Sequence, residues 1–129
     1  MACVNLVTLC ALLEYFAFGW LVGRARVTYG VKAPAMSGHE VFDRYFRVQQ
    51  NTLELLIIFL PALYIAGLYW NPTWMAAIGA VYIIGRLLYL RGYVSDPAAR
   101  HIGFLLSVAP IVVLVGAGVI GAVRALFTG

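Results

Sequence analysis

Charge is scarce in this sequence. Lys, Arg, Asp and Glu together make up 11% of its 129 residues, against 64% that are hydrophobic. Ordinary soluble domains are about a quarter charged and about half apolar, so a water-facing domain of any size is excluded. Cysteine is equally sparse. Cys3 and Cys10 stand seven apart in the first apolar run, a spacing that no disulfide within one helix can bridge. They read as packing or lipid-facing side chains. There is no CxxC pair and no His/Cys cluster, so no metal site is expected. The lack of a glycine-rich phosphate loop argues against a nucleotide ligand. The first apolar run has neither a basic leader nor a small-residue cleavage site, and so reads as a retained span rather than a signal peptide.

What is present is apolar sequence in long runs, with a mean hydropathy of +0.92. A membrane-spanning helix needs about 20 such residues. The chain therefore accommodates four spans and short loops in a single domain, at about 3–22, 46–69, 75–90 and 99–127. The fold class is all-α integral membrane, a four-transmembrane-helix bundle per protomer. Pro61 and Pro110 fall inside the second and fourth spans and are expected to kink or open them. The short turn Trp70 to Trp74 makes spans two and three antiparallel neighbours, with its tryptophans at the membrane interface. Asp96 before Pro97 reads as the N-cap of span four. Gly116, Gly118 and Gly121 suit close helix approach.

Four spans place both termini on one side. Arg24, Arg26, Lys32, Arg44, Arg47, Arg86, Arg91 and Arg100 then share the other side, and only Arg124 lies with the termini. The positive-inside rule makes the basic side cytoplasmic and both termini extracytoplasmic. The formal charge of +4 thus reports orientation, and no nucleic-acid partner is expected.

One stretch departs from this apolar pattern. From Phe42 to Leu55, FDRYFRVQQNTLEL leads without a break into the second apolar run. On a helix, Arg44, Arg47, Asn51 and Glu54 fall at steps of three, four and three, which puts them on one face. Arginines at span ends commonly snorkel to the headgroups, and Arg24, Lys32 and Arg91 are read that way. Snorkelling does not account for an amide and a carboxylate one and two turns deeper, although Glu54 paired to an arginine would. Such a stripe is costly in a membrane unless it lines a protein-buried or water-filled site. A second set, Arg86, Tyr89 and Tyr93, shares one face of span three, with Tyr82 extending it inward and Arg100 opening span four. Tyr89 and Tyr93 fit an interfacial aromatic belt equally well. The combined set suits a small, mostly anionic ligand with one cationic group. Glutathione has that chemistry, and so do other peptides.

The spacing R-x-x-R-x-x-x-N-x-x-E (Arg44, Arg47, Asn51, Glu54) followed by R-x-x-Y-x-x-x-Y (Arg86, Tyr89, Tyr93) resembles the MAPEG family, the membrane-associated proteins of eicosanoid and glutathione metabolism. The similarity covers nearly the whole chain. It is nearest to the branch of the microsomal glutathione S-transferases and the cysteinyl-leukotriene synthase, and suits a bacterial member in an inner membrane. The resemblance implies a homotrimer with glutathione as co-substrate, bound between subunits near the cytoplasmic surface. Arg47, Asn51, Glu54, Arg86, Tyr89 and Tyr93 match the family's glutathione ligands. Arg26 and Gln49 match through a looser alignment of the first loop. Arg100 matches the arginine that stabilises the thiolate, the catalytic role. Leu55 stands where leukotriene-forming members have a tyrosine, and Val27 where they have a second arginine. The expected substrate is accordingly a generic hydrophobic electrophile drawn from the bilayer, with peroxide reduction a second outlet for the same thiolate, in a detoxifying role.

Two other functions fit parts of the sequence. A non-catalytic lipid-binding scaffold shares the family's fold, so fold analogy alone does not separate it. A small proton-coupled multidrug transporter also has four spans and a lone glutamate in the first, as Glu14 is here. A transporter has no need of the arginine-rich rim, and Glu14 is read instead as a hydrogen-bonding group between helices of an oligomer.

Overall fold

The computed structural model describes residues 1–95 and 100–129. It contains four helices, α1 (Ala2–Tyr29), α2 (Glu40–Tyr69), α3 (Pro72–Ser95) and α4 (Arg100–Thr128). Each is long and apolar enough to cross a membrane. Large apolar side chains such as Phe16, Ile57, Leu105 and Phe127 stand exposed along the helices, as they do where the solvent is lipid. The chain is an integral membrane protein. α2 and α3 form the central pair, each packing on the other and on both outer helices, while α1 and α4 do not meet among the described residues.

The helices run past the apolar spans on the basic side. α1 continues through Arg24 and Arg26 until Gly30 adopts a left-handed conformation (φ 69°) and its N–H caps the Arg26 carbonyl, a turn glycine makes without a Cβ penalty. α2 starts six residues ahead of its apolar run. His39 is its N-cap and accepts from the Val41 N–H through Nδ1 at 3.1 Å, with Glu40 and Asp43 in the first turn, where negative charge is favoured. The Asp43 carboxylate also accepts from Ser37 Oγ and the Gly38 N–H, both at 3.2 Å. α2 and α4 run unbroken through Pro61 and Pro110, so α4 is not opened there. The α2–α3 turn is only residues 70–71, and the Trp70 indole N–H donates to the Ala117 carbonyl at 2.8 Å. Asp96 and Pro97 lie outside the described residues.

Of the glycines singled out in the fourth apolar run, Gly121 does make a close helix approach to α2, since a Cβ there would press into Tyr69 Cβ. Gly118 packs against Ile65, and Gly116 faces open space. A second tight seam joins α3 to α4 at Gly85 and Gly103. A Cβ on Gly85 would stand 2.6 Å from the Leu106 carbonyl carbon, and one on Gly103 would press into the Tyr89 backbone. Small residues let backbones meet in this way, and the seam fixes the height of Arg86 and Tyr89 against Ser107. Gly103→Ala should destabilise the protein by about 3 kcal/mol, the upper end of ordinary overpacking, because backbone must move. Gly116→Ala should be neutral or gain about 0.5–1 kcal/mol. Thermal unfolding of both variants in one detergent measures the difference.

Candidate functional site

At the end of the bundle where α2 begins, α3 ends and α4 begins, a cavity of about 280 Å³ is lined by Arg47, Gln50, Asn51, Glu54, Tyr89, Tyr93 and Arg100. The helical period that groups Arg47, Asn51 and Glu54 brings three turns of α2 to one wall. Tyr89 and Tyr93, one turn apart, form the α3 wall, with ring centroids 5.5 Å apart. The Arg100 guanidinium lies 5.7 Å from the centre of the Tyr93 ring. Arg47, Gln50 and Glu54 also line a wider, open hollow of about 650 Å³, together with Met36, Ser37, Asp43 and Phe46. These three are exposed and make no hydrogen bond or ion pair with any other described residue.

Arg86 supports this wall from behind. It is fully buried. Its Nε donates to Ser107 Oγ at 2.9 Å, and its Nη1 donates to Asn51 Oδ1 at 2.7 Å and to Thr52 Oγ1 at 3.1 Å. Its guanidinium sits 4.2 Å from the centre of the Tyr89 ring, a cation–π contact in a desolvated setting. One buried arginine therefore fixes an amide and a phenol that face the cavity. Tyr82, one turn deeper, is wholly buried and stacks on Phe59 at 3.9 Å. It belongs to the core, not to the cavity.

Of the residues singled out in the sequence, Arg47, Asn51, Glu54, Tyr89, Tyr93 and Arg100 are brought together, and Arg86 stands immediately behind them. Arg26 is turned away. It donates to the Ala35 carbonyl at 2.7 Å and lies 4.8 Å from the Phe42 ring centre, which ties down the 30–39 segment. Gln49 faces α1 beside Tyr15, Phe16, Gly19 and Trp20, about 100° around α2 from Gln50. Arg44 also leaves the stripe and joins the ends of α2 and α3 through Val94 O (3.0 Å) and Glu40. Glu14 is buried within a single protomer, not on an outward face. Gln50 is the cavity residue that the sequence reading passed over. It lies three residues after Arg47 and four before Glu54, so the same helical spacing contained it.

The model of the MAPEG family matches residues 4–120. Human microsomal glutathione S-transferase 2 is 40% identical over 121 residues, covering 94% of this chain and 80% of the relative. An uncharacterized protein of the cyanobacterium Synechocystis is 45% identical over 113 residues, 87% of this chain and 82% of the relative. Rat leukotriene C4 synthase is 35% identical, covering 84% of this chain and 79% of the relative.

The division between support and cavity is testable without any ligand. Ser107→Ala removes an acceptor from a buried guanidinium and should cost about 1.5–3 kcal/mol. Glu54→Gln alters an exposed side chain with no intramolecular partner among the described residues and should stay within about 0.5 kcal/mol of wild type. Thermal unfolding in one detergent compares the two.

Proposed function

The chain belongs to the MAPEG family, and on that premise we propose that it is a membrane-bound glutathione transferase acting on hydrophobic electrophiles. The observation that carries the proposal is the match between cavity and co-substrate. The cavity presents two guanidinium groups, one carboxylate, two amides and two phenols. Glutathione carries two carboxylates, one ammonium, two amides and a thiol. Arg47 faces a carboxylate, with the bidentate geometry arginine favours, and Glu54 takes the ammonium. Asn51, held by Arg86, and Gln50 serve the peptide groups. The names of the human and rat relatives, a glutathione S-transferase and leukotriene C4 synthase, support this class of chemistry. Arg86 acts from behind the wall, through Asn51 and Tyr89.

The exposed stripe supports assembly as a homotrimer. Arg47, Gln50 and Glu54 open onto the wider hollow without partners among the described residues, and polar groups left facing hydrocarbon are costly. Neighbouring copies would close that hollow, and in a shared site Gln49 and Arg26 would be supplied by the adjacent subunit. The basic end faces the cytoplasm, and the Synechocystis relative supports a bacterial inner membrane. The electrophile arrives from the bilayer through the apolar flanks of the bundle.

Catalysis follows from thiol chemistry. The thiolate is the nucleophile, and a free thiol has a pKa near about 8.5. It forms a bond from sulfur to the electrophilic carbon, and the leaving group departs with its electron pair. Lowering the thiol pKa by about two units takes roughly 2.7 kcal/mol. A cation about 4 Å away at an effective dielectric near 20 supplies about 4 kcal/mol. Arg100 is the residue assigned to that task. It begins α4, where the helix N-terminus adds up to about 1 kcal/mol of favourable potential. The scaffold reading is disfavoured because the polar wall is built from charged groups that a lipid does not need. The transporter reading is disfavoured because a proton-coupled exporter has no need of the arginines that line the cavity.

Arg100→Ala should therefore leave glutathione affinity nearly intact and lower conjugation at neutral pH by roughly ten- to a hundredfold, with recovery as pH rises. Arg100→Lys should fall between, since it keeps the charge and loses the planar fork. The ultraviolet absorbance of bound thiolate, titrated against pH in wild type and Arg100→Ala, measures the shift. Coincident curves would remove Arg100 from the role and leave the Tyr93 phenol as its replacement.

A further inference from the structure

The polar pocket has a second tier on its inner side. α1 and α3 run in the same direction and pack together. Val7 Cγ1 lies 3.0 Å from where a Gly79 Cβ would stand. Seven residues further along each helix stand Glu14 and Arg86. The level above agrees, since Phe18 and Tyr89 share a small cluster there. The register thus brings Glu14 of α1 opposite Arg86 of α3.

The atoms at this level are unusual for a membrane interior. Both carboxylate oxygens of Glu14, the Tyr82 hydroxyl and Arg86 Nη2 are buried without a hydrogen-bond partner among the described residues. Glu14 is 8% exposed, and Tyr82 and Arg86 are 0% exposed. A guanidinium keeps its charge in any protein setting. The acceptors that Arg86 does have, Ser107, Asn51 and Thr52, are neutral. A fully buried cation without a counter-charge is strongly unfavourable. Glu14 is the only buried carboxylate among the described residues, and the register of α1 and α3 sets it at the level of Arg86. We infer that Glu14 is the counter-ion of Arg86 and, through it, a positioning residue for the pocket.

The two groups do not form a direct ion pair; the only one among the described residues joins Arg44 to Glu40. The consequence reaches the cavity because the same guanidinium holds Asn51 Oδ1 and lies against the Tyr89 ring. The effect on ligand affinity rests on the reading of the pocket as a glutathione site, whereas the pairing itself does not.

Two measurements test the pairing. The first uses wild-type protein labelled with carbon-13 glutamate. Glu14, Glu40 and Glu54 are its only glutamates, and the last two are exposed. The infrared spectrum at neutral pH should contain only ionised-carboxylate bands, and a protonated-carboxyl band absent from Glu14→Gln would overturn the inference. The second is a double-mutant cycle with Arg86→Met. Glu14→Gln alone should lower thermal stability and weaken glutathione binding about tenfold, the scale of one lost hydrogen bond at a charged group. In the Arg86→Met background the same change should have no further effect, the non-additivity expected of coupled groups. A silent Glu14→Gln, or additive losses, would overturn the inference. If wild type does not bind glutathione, the functional reading fails, while the spectrum and the stability cycle still decide the pair.

Discussion

A guanidinium wholly enclosed in a membrane bundle must find its hydrogen-bond acceptors inside the protein, since lipid supplies none. Arg86 meets that constraint at Nε and Nη1, drawing on α2 through Asn51 and Thr52 and on α4 through Ser107, and leaves Nη2 without a partner among the described residues. The helices around it are arranged to permit this. Glycines at 85 and 103 bring the α3 and α4 backbones into contact, which sets Ser107 within reach. The central α2–α3 pairing sets Asn51 and Thr52 there as well. Moving any of these three acceptors would leave a buried donor unmet, so the arginine specifies the register of three helices at once.

The same interaction links stability to the site. Asn51 and Tyr89 line the cavity on one side and touch Arg86 on the other. The exposed members of the wall, Arg47, Gln50 and Glu54, have no such backing and are free to meet a ligand or a neighbouring copy. A rigid inner tier and an available outer tier are what a polar ligand at a membrane rim requires, because the inner groups are preorganised before the ligand arrives.

Much of this was legible in the sequence because two periodicities expose it. Runs of about 20 apolar residues locate the helices, and the three-and-four spacing of Arg47, Asn51 and Glu54, and of Arg86, Tyr89 and Tyr93, locates the wall. Spacing gives a face but not the depth of each side chain on it. It groups Arg44 with Arg47, yet Arg44 is spent joining helix ends. It extends the tyrosine face to Tyr82, which the core claims by stacking on Phe59. It does not choose between Gln49 and Gln50, adjacent residues that face different helices. Helix ends differ from span ends for a physical reason too. Hydropathy marks the hydrocarbon boundary, whereas α1 and α2 continue into the interface until Gly30 and His39 cap them. The α3–α4 seam was missed because single glycines in apolar runs carry no signal of what they face, and Gly116 and Gly103 look alike until the partner helix is in place.

The central claim is that the wall formed by Arg47, Asn51 and Glu54 holds glutathione, and isothermal titration of glutathione into the detergent-purified protein tests it most directly. Saturable heat is expected in wild type, with loss of the signal in folded Glu54→Ala and Arg47→Ala proteins. Heat no greater than dilution in wild type, or binding that survives both substitutions unchanged, would contradict the account.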